Sequence, residues 1–207
     1  RGRLELAYGG ADNLADVSPT VDSAPSALVV VSNRLPIAYT LAADGEKVAS
    51  LSPGGLVAAL GPALAGTGAS WIGWDGTADG SEEPLEVEGF HIEPVGLSAD
   101  LIAGHYEGFS NSTLWPLLHD VGVAAQFSAQ WWDSYRAANE TFADRVAAVA
   151  AEGAVVFVQD YHLMLLPALL RTRRPDLTVG YFHHIPFPGP HTLEALPQRK
   201  ALLEGLL

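Results

Sequence analysis

A complete strand–helix–strand passage lies between residues 154 and 182, which read AVVFVQDYHLMLLPALLRTRRPDLTVGYF. It opens with a β-branched apolar run at 154–158, and a helix is predicted to follow His162 and to extend to about residue 173. A second apolar strand is predicted at 178–182. Neither strand alternates apolar with polar residues, so each strand is expected to be buried on both faces. This pattern is typical of a parallel sheet that is covered on both faces by helices.

The rest of the chain extends the same pattern. Another continuously apolar strand, 27–31, is predicted to open into a loop at 32–34. Further strands are predicted at 70–73 and 91–95, with an acidic, Gly-rich loop at 75–89, and further helices at 56–64, at 130–152 and from about 192. The sequence therefore predicts an α/β fold, a Rossmann-like domain over 27–207. Residues 1–26 are rich in Ala, Asp, Ser and Pro without apolar periodicity, and are predicted to be a disordered leader.

Composition excludes several functional classes. The chain has 207 residues, 48% of them apolar, which suits one buried core. Its apolar runs fall far short of the ~18 residues that a membrane helix needs. The net charge is −13 with only two lysines, Lys47 and Lys200, so binding to nucleic acid or to an anionic membrane is not expected. The chain has no cysteine, which fits a reducing compartment, and we expect a cytoplasmic protein.

Polar residues that follow the predicted strands are the candidates for a binding site, because ligands of such sheets bind beyond the carboxyl ends of the strands. Arg34 follows the first strand, and the pair Gly54-Gly55 precedes a helix. Together they could hold a phosphate, or form a tight turn beside a surface arginine. The chain has no G-x-G-x-x-G or G-K-[ST] motif here, which disfavours a dinucleotide-dependent dehydrogenase and a P-loop enzyme.

The remaining candidates are open to two interpretations each. Asp160 could bind sugar hydroxyls or transfer a proton, or it could cap a helix. Tyr161 and His162, which follow it, are expected to pack or to form structural hydrogen bonds rather than to react. His183 and His184 are adjacent and are expected to point to opposite faces, which disfavours a shared metal and favours a single histidine in the cleft. Residues 106–119 mix aromatic with small polar side chains, which suits a sugar but is also common in a core.

Six segments together resemble one known family. They are VVVSNRLP at 29–36, PGGL at 53–56, WIGW at 71–74, YEGFSNSTLWP at 106–116, VQDYHL at 158–163 and FHHIPFP at 182–188. Their order and spacing over about residues 28–207 resemble the trehalose-6-phosphate synthases. The resemblance implies a GT-B fold of two Rossmann-like domains. It also implies transfer of glucose, with retention, from a nucleotide-glucose (usually UDP-glucose) to glucose 6-phosphate, which forms trehalose 6-phosphate without a metal or another cofactor.

The resemblance also implies roles for individual residues. Arg34 and Tyr106 would contact the acceptor phosphate, and Asp160 the acceptor sugar. Gly54 and Gly55 would lie against the donor near its diphosphate, and His184 would bind the transferred glucose, so that His184 and Asp160 are the candidate catalytic residues. Trp115 and Ile185 would select the α-anomer of the acceptor.

The same resemblance indicates that this chain is only part of an enzyme. In the family, an Arg and a Lys of the second domain hold the donor diphosphate, so we expect the C-terminal donor domain to be absent here and residues 1–207 alone to be inactive. The alternatives are a pseudo-glycosyltransferase that joins aminocyclitol units, an inactive regulatory relative, and a non-catalytic domain that binds sugar phosphates. The expected partners are small-molecule substrates. A homo-oligomer of the intact protein is compatible with the resemblance. The resemblance does not determine which nucleotide base the sugar donor carries.

Overall fold

The computed structural model describes residues 24–41, 47–119 and 124–207. Most of the predicted leader, residues 1–23, lies outside the described residues, and Ser26 already belongs to the first strand. Across the three described ranges, no helix is long and apolar enough to cross a lipid bilayer.

A six-stranded sheet forms the centre of the described fold. The strands of the chain are β1 (Ser26–Arg34), β2 (Ile37–Leu41), β3 (Lys47–Leu51), β4 (Ser70–Trp74), β5 (Leu85–Val87), β6 (Phe90–Pro94), β7 (Ala150–Gln159) and β8 (Thr178–Phe182). The strand order in the sheet is β5-β6-β4-β1-β7-β8, and all neighbours are parallel except β5 and β6. Strands β2 and β3 form a separate antiparallel hairpin. The predicted parallel sheet is confirmed.

Helices cover both faces of the sheet, as predicted. They are α1 (Gly55–Leu64), α2 (Ala99–Leu101), a π-helix (Ile102–Leu114), α3 (Trp115–His119), α4 (Ala129–Val149), a 3₁₀ turn (Tyr161–Leu163), α5 (Leu166–Arg173), α6 (Pro190–Glu194) and α7 (Arg199–Leu206). On one face, α4 and α5 contribute Phe142 and Leu170 to the core. On the other face, α1 and the β2–β3 hairpin contribute Leu64 and Ile37.

The central strand β1 explains why the strands lack alternation. Val29 and Val31 are buried on the α4–α5 face, and Val30 is buried on the α1 face against Trp71. Each fully buried valine side chain contributes about 1.5–3 kcal/mol to stability before entropic costs. A polar residue at any of these positions would lose that contribution, because neither face of β1 meets water.

The predicted helix 130–152 is too long by three residues. Helix α4 ends at Val149, and residues 150–152 begin β7, where Ala150 pairs with Ser26. Alanine and glutamate favour helix locally, but tertiary contacts override that preference here. The Arg174 guanidinium donates hydrogen bonds to the carbonyls of Ala147, Ala150 and Ala151, and so fixes the chain where helix becomes strand.

The predicted loop at residues 32–34 is also wrong, because β1 continues through Arg34 with an irregular register between Val31 and Arg34. Within this segment, the Ser32 hydroxyl accepts a hydrogen bond of 2.8 Å from the Trp71 indole. The predicted acidic loop 75–89 contains the short strand β5. The helix predicted after His162 is present as α5, which begins at Leu166 after the 3₁₀ turn and ends at Arg173 as predicted.

The 13-residue π-helix was not predicted from the sequence. It lies against α4 through Gly104 and Gly108, where an added Cβ would collide with Ser134 and Trp131 respectively. These glycines allow the close approach of the two helices, which places Tyr106 beside the ends of β1 and β7.

Candidate active site

A cavity of about 490 Å³ lies at the carboxyl ends of β1, β7 and β8 and against the start of α1. Six of the eight residues proposed from the sequence line it, namely Arg34, Gly54, Gly55, Tyr106, Asp160 and His184. They come from segments up to 150 positions apart in the chain, and the sheet topology is what brings them together. Arg34 is the one Lys or Arg side chain among the described residues that line the cavity.

Arg34 is the last residue of β1, and its exposed guanidinium lies 4.8 Å from the centre of the Trp74 ring. A guanidinium over an indole is a cation–π contact. It also donates a hydrogen bond of 3.4 Å to the Asp75 carbonyl. Gly76 has φ +97°, and any Cβ there would overlap the guanidinium. The side chain is thus held in place at the mouth of the cavity, with its charge unpaired by a carboxylate in these contacts.

Gly54 and Gly55 lie where α1 begins. Gly54 is the N-cap and supplies no side-chain cap, so the first backbone N–H groups of α1 depend on other partners. An added Cβ at Gly54 would make ordinary contact with Ser52, and one at Gly55 would meet nothing within 4 Å. The fold therefore leaves room for side chains here, and their absence keeps the positive end of the helix dipole open to the cavity.

Asp160 is a capping residue, as one interpretation of its sequence position predicts, and it also lines the cavity. Its carboxylate caps the 3₁₀ turn by accepting a hydrogen bond of 2.9 Å from the Tyr161 N–H, and it also accepts one of 3.4 Å from the His184 N–H. Its backbone has φ +70° and ψ 169°, a region that residues other than glycine enter at a cost of about 1–3 kcal/mol. Strain of this size at a residue that lines the cavity points to a functional constraint on its position.

We expect Asp160→Gly to be more stable than Asp160→Ala by about 1–2 kcal/mol, because only glycine relieves the strain while both variants lose the cap. Urea unfolding of the full-length protein measures the difference. The matched pair is at Asp133, an exposed position in the first turns of α4, where the alanine variant should be the more stable by up to about 1 kcal/mol. Equal stability of the two Asp160 variants would contradict the strain.

His184 and His183 have different partners. The His184 Nε2 lies 3.0 Å from the Oε1 of Gln159, whereas the His183 Nδ1 lies 2.8 Å from the Tyr181 hydroxyl. Among the residues that the structure describes, no group of three or more His, Asp or Glu side chains could hold a metal ion. Gln159 lines the cavity and is 2% exposed, but it was not singled out from the sequence.

An aromatic wall closes one side of the cavity. The Tyr106 ring stacks on His162 with centroids 5.9 Å apart, and it meets Trp74 edge-on at 5.5 Å. Burial lowers the pKa of His162, and the neighbouring His105 lowers it further, so His162 is neutral at pH 7. His162 was expected to be structural from the sequence, but it lines the cavity as well as packing.

Trp115 and Ile185 do not line the cavity. Trp115 lies in α3, is 39% exposed and packs on His119 at 4.6 Å between ring centroids. Ile185 packs against the apolar cluster that includes Leu118 and Met164. Their role in selecting the acceptor anomer stays a prediction, and in this structure neither side chain is placed to contact a ligand in the cavity.

A parallel sheet with a cavity at the carboxyl ends of its strands, open to a helix N-terminus, is typical of Rossmann-like domains, whose ligands bind at that edge of the sheet. Residues 26–207 match the model of glycosyltransferase family 20, and the chain belongs to that family.

Similar proteins carry the same assignment. The chain is 51% identical to a trehalose-6-phosphate synthase of Mycobacterium sp. (strain KMS) over 189 residues, which are 91% of this chain and 39% of that relative. A solved E. coli structure with bound UDP-2-fluoro glucose has 33% identity and a TM-score of 0.73, and the match covers 87% of this chain and 38% of that one. The Burkholderia xenovorans trehalose-phosphate synthase, solved with glucose 6-phosphate, has 30% identity and a TM-score of 0.73, with coverage of 87% and 39%. This chain thus spans about two fifths of the length of these relatives.

Proposed function

We propose that the full-length protein is an α,α-trehalose-phosphate synthase, which transfers glucose from a nucleotide-glucose donor to glucose 6-phosphate with retention of configuration. The observation that carries the proposal is the convergence of Arg34, Tyr106, Asp160 and His184 on one cavity of a family 20 domain. Relatives that were solved with a UDP-glucose analogue and with glucose 6-phosphate support these substrate classes, and UDP-glucose is the donor we propose.

The acceptor would bind between β1 and the π-helix. The Arg34 guanidinium would pair with the phosphate of glucose 6-phosphate, and the Tyr106 hydroxyl would donate a further hydrogen bond. The Asp160 carboxylate, fixed by two backbone N–H groups, would accept hydrogen bonds from the acceptor hydroxyls. An anionic acceptor needs a cation, and Arg34 is the described lining residue that supplies one.

The donor would bind across the start of α1. The open N-terminus at Gly54 and Gly55 would face its diphosphate, and His184 would hydrogen-bond the transferred glucose. Two phosphorylated substrates exceed what one arginine can neutralise. We therefore propose that the cations for the diphosphate come from residues outside 1–207, in a second domain that closes over this cavity.

The proposed chemistry takes place on one face of the sugar. The bond between the glucose C1 and the diphosphate oxygen breaks, and the acceptor hydroxyl oxygen forms a bond to C1 from the same side. The proton of that hydroxyl passes to the leaving phosphate oxygen, so no protein base is needed. His184 would stabilise the positively charged, oxocarbenium-like state by orienting the ring and its hydroxyls. No metal or other cofactor is part of this proposal, and we propose the cytoplasm as its compartment.

The proposal predicts that the purified full-length protein forms trehalose 6-phosphate from UDP-glucose and glucose 6-phosphate, measured by product NMR and UDP release. Residues 1–207 alone should show no turnover, because ion pairs to an uncovered diphosphate are weak in water. The control is the full-length protein with glucose 6-phosphate omitted. Transfer to an aminocyclitol but not to glucose 6-phosphate would instead support a pseudo-glycosyltransferase.

A further inference from the structure

The side chain of Gln159 lies between the backbone of β7 and the ring of His184. Gln159 is the last residue of β7, it is 2% exposed, and its amide spans the gap between a backbone carbonyl and a histidine ring. The amide nitrogen donates a hydrogen bond of 3.2 Å to the Phe157 carbonyl oxygen. The amide oxygen lies 3.0 Å from the His184 Nε2.

These two contacts fix the orientation of the amide. A carbonyl oxygen can only accept, so the group that faces Phe157 must be the donor, the NH₂ of Gln159. The opposite orientation would place two oxygens against each other at Phe157 in a buried position, which is unfavourable. The Gln159 oxygen therefore faces the imidazole of His184.

The orientation of the amide determines the state of the ring. An amide oxygen accepts only, so the His184 Nε2 must carry the proton and donate it. In the neutral imidazole, the other nitrogen, Nδ1, then holds a lone pair and accepts. Because His184 is exposed to the cavity that it lines, this acceptor is available to a ligand there.

We infer that Gln159 is a positioning residue, which holds His184 as the Nε2–H tautomer so that Nδ1 accepts a hydrogen bond from a hydroxyl of the transferred sugar. The inference about the sugar rests on the proposed function, whereas the tautomer does not. Two further contacts hold the same residue: its backbone N–H donates to Asp160, and its ring packs on Phe182 at 4.8 Å between centroids. Of these three contacts, only the one with Gln159 involves a ring nitrogen and so determines which of the two nitrogens carries the proton.

The tautomer can be measured without any activity. Long-range ¹H–¹⁵N NMR of full-length protein labelled with ¹⁵N-histidine at neutral pH should show His184 with its proton on Nε2 and a bare Nδ1. The resonances are assigned by their loss in His184→Ala. A proton on Nδ1 in the wild type would overturn the inference, whether or not the protein is a glycosyltransferase.

Kinetics tests the consequence for the transferred sugar. Gln159→Met, which keeps the size of the side chain but removes the acceptor, should lower kcat by about 10- to 100-fold, the range for a misplaced catalytic group. The KM for glucose 6-phosphate should be unchanged, because Arg34 and Tyr106 are untouched. Gln130→Met at an exposed position of α4 outside the cavity is the matched control, with kcat within twofold of the wild type.

A double-mutant cycle separates positioning from general stability. Once His184 is alanine, Gln159→Met has no ring to hold, so it should lower kcat by less than twofold further. A second loss of tenfold or more in that background would show that Gln159 acts through the fold and would overturn its role as a positioning residue. If the wild-type protein has no transferase activity, the proposed function fails, and the NMR measurement still decides the tautomer.

Discussion

Replacing His184 by alanine in the full-length protein is expected to lower kcat for trehalose 6-phosphate formation by about 10²–10³-fold. A loss of this size is expected when one prepositioned hydrogen-bonding group is removed. Here that group is the His184 ring, which would bind the sugar on which positive charge develops. His184 is held by Gln159 and by the Asp160 carboxylate, so its ring needs little rearrangement during the reaction. Steady-state kinetics with both substrates saturating measures the effect.

The control is His191→Ala, because the side chain of His191 is 98% exposed and does not line the cavity. The kcat of His191→Ala should equal that of the wild type, and both variants should melt within a few degrees of the wild type.

The same-face route also predicts that no covalent intermediate forms on the protein. Incubation with donor alone, followed by mass spectrometry of the quenched protein, should show no glucosyl adduct. An adduct on Asp160 would make that carboxylate the nucleophile and contradict the role we assign to His184.

Much of the fold could be predicted from the sequence because its strands are buried on both faces. A run such as 154–158 has no polar alternation to confuse with a surface strand, and β8 begins and ends where the sequence placed it. The predicted strand ends then located the site, since the carboxyl ends of parallel strands meet at one edge of a sheet. Arg34 and Asp160 were located by this reasoning alone, which also placed one of His183 and His184 at the site, and the family resemblance selected His184.

Other elements depend on contacts that a local pattern does not contain. The π-helix needs its two glycines to meet Ser134 and Trp131 of α4, more than 20 residues away. The β2–β3 hairpin covers the sheet next to α1, but its strands are short and lack a clear alternation. The end of α4 is set by Arg174, which is 25 residues further along the chain than Val149. In each case, distant residues decide the local structure.

The site residues that sequence reasoning missed have the same origin. Gln159 ends a strand and stands next to Asp160, so its position was a usable signal, but its role depends on the parallel pairing of β7 with β8 that brings His184 to it. For His162 the sequence favours a structural role over a reactive one. Its stacking on Tyr106, which makes it part of the cavity wall, depends on the π-helix.

Replacing Arg34 by alanine is expected to lower kcat/KM for glucose 6-phosphate by about 30- to 1000-fold, which corresponds to roughly 2–4 kcal/mol of lost binding in the transition state. Arg34 is the one cationic side chain among the described residues of the cavity wall, so no described neighbour can take over the phosphate. The fold loses an exposed cation–π contact with Trp74, worth about 0.5–1 kcal/mol, and the exposed hydrogen bond of 3.4 Å to the Asp75 carbonyl, so the variant should remain folded.

Comparison of two acceptors isolates the phosphate contact. With unphosphorylated glucose, a poor acceptor, Arg34→Ala should lower kcat/KM by no more than a few-fold, because the guanidinium then has no phosphate to bind. The matched control is Arg171→Ala, which removes an exposed arginine of α5 outside the cavity and should leave both acceptors unaffected. Since the variant differs from the wild type by one charge at the mouth of the cavity, a selective loss with glucose 6-phosphate identifies that charge as the phosphate ligand. An equal loss with both acceptors would show that Arg34 serves the donor or the fold, and the acceptor would then have to be placed elsewhere in the cavity.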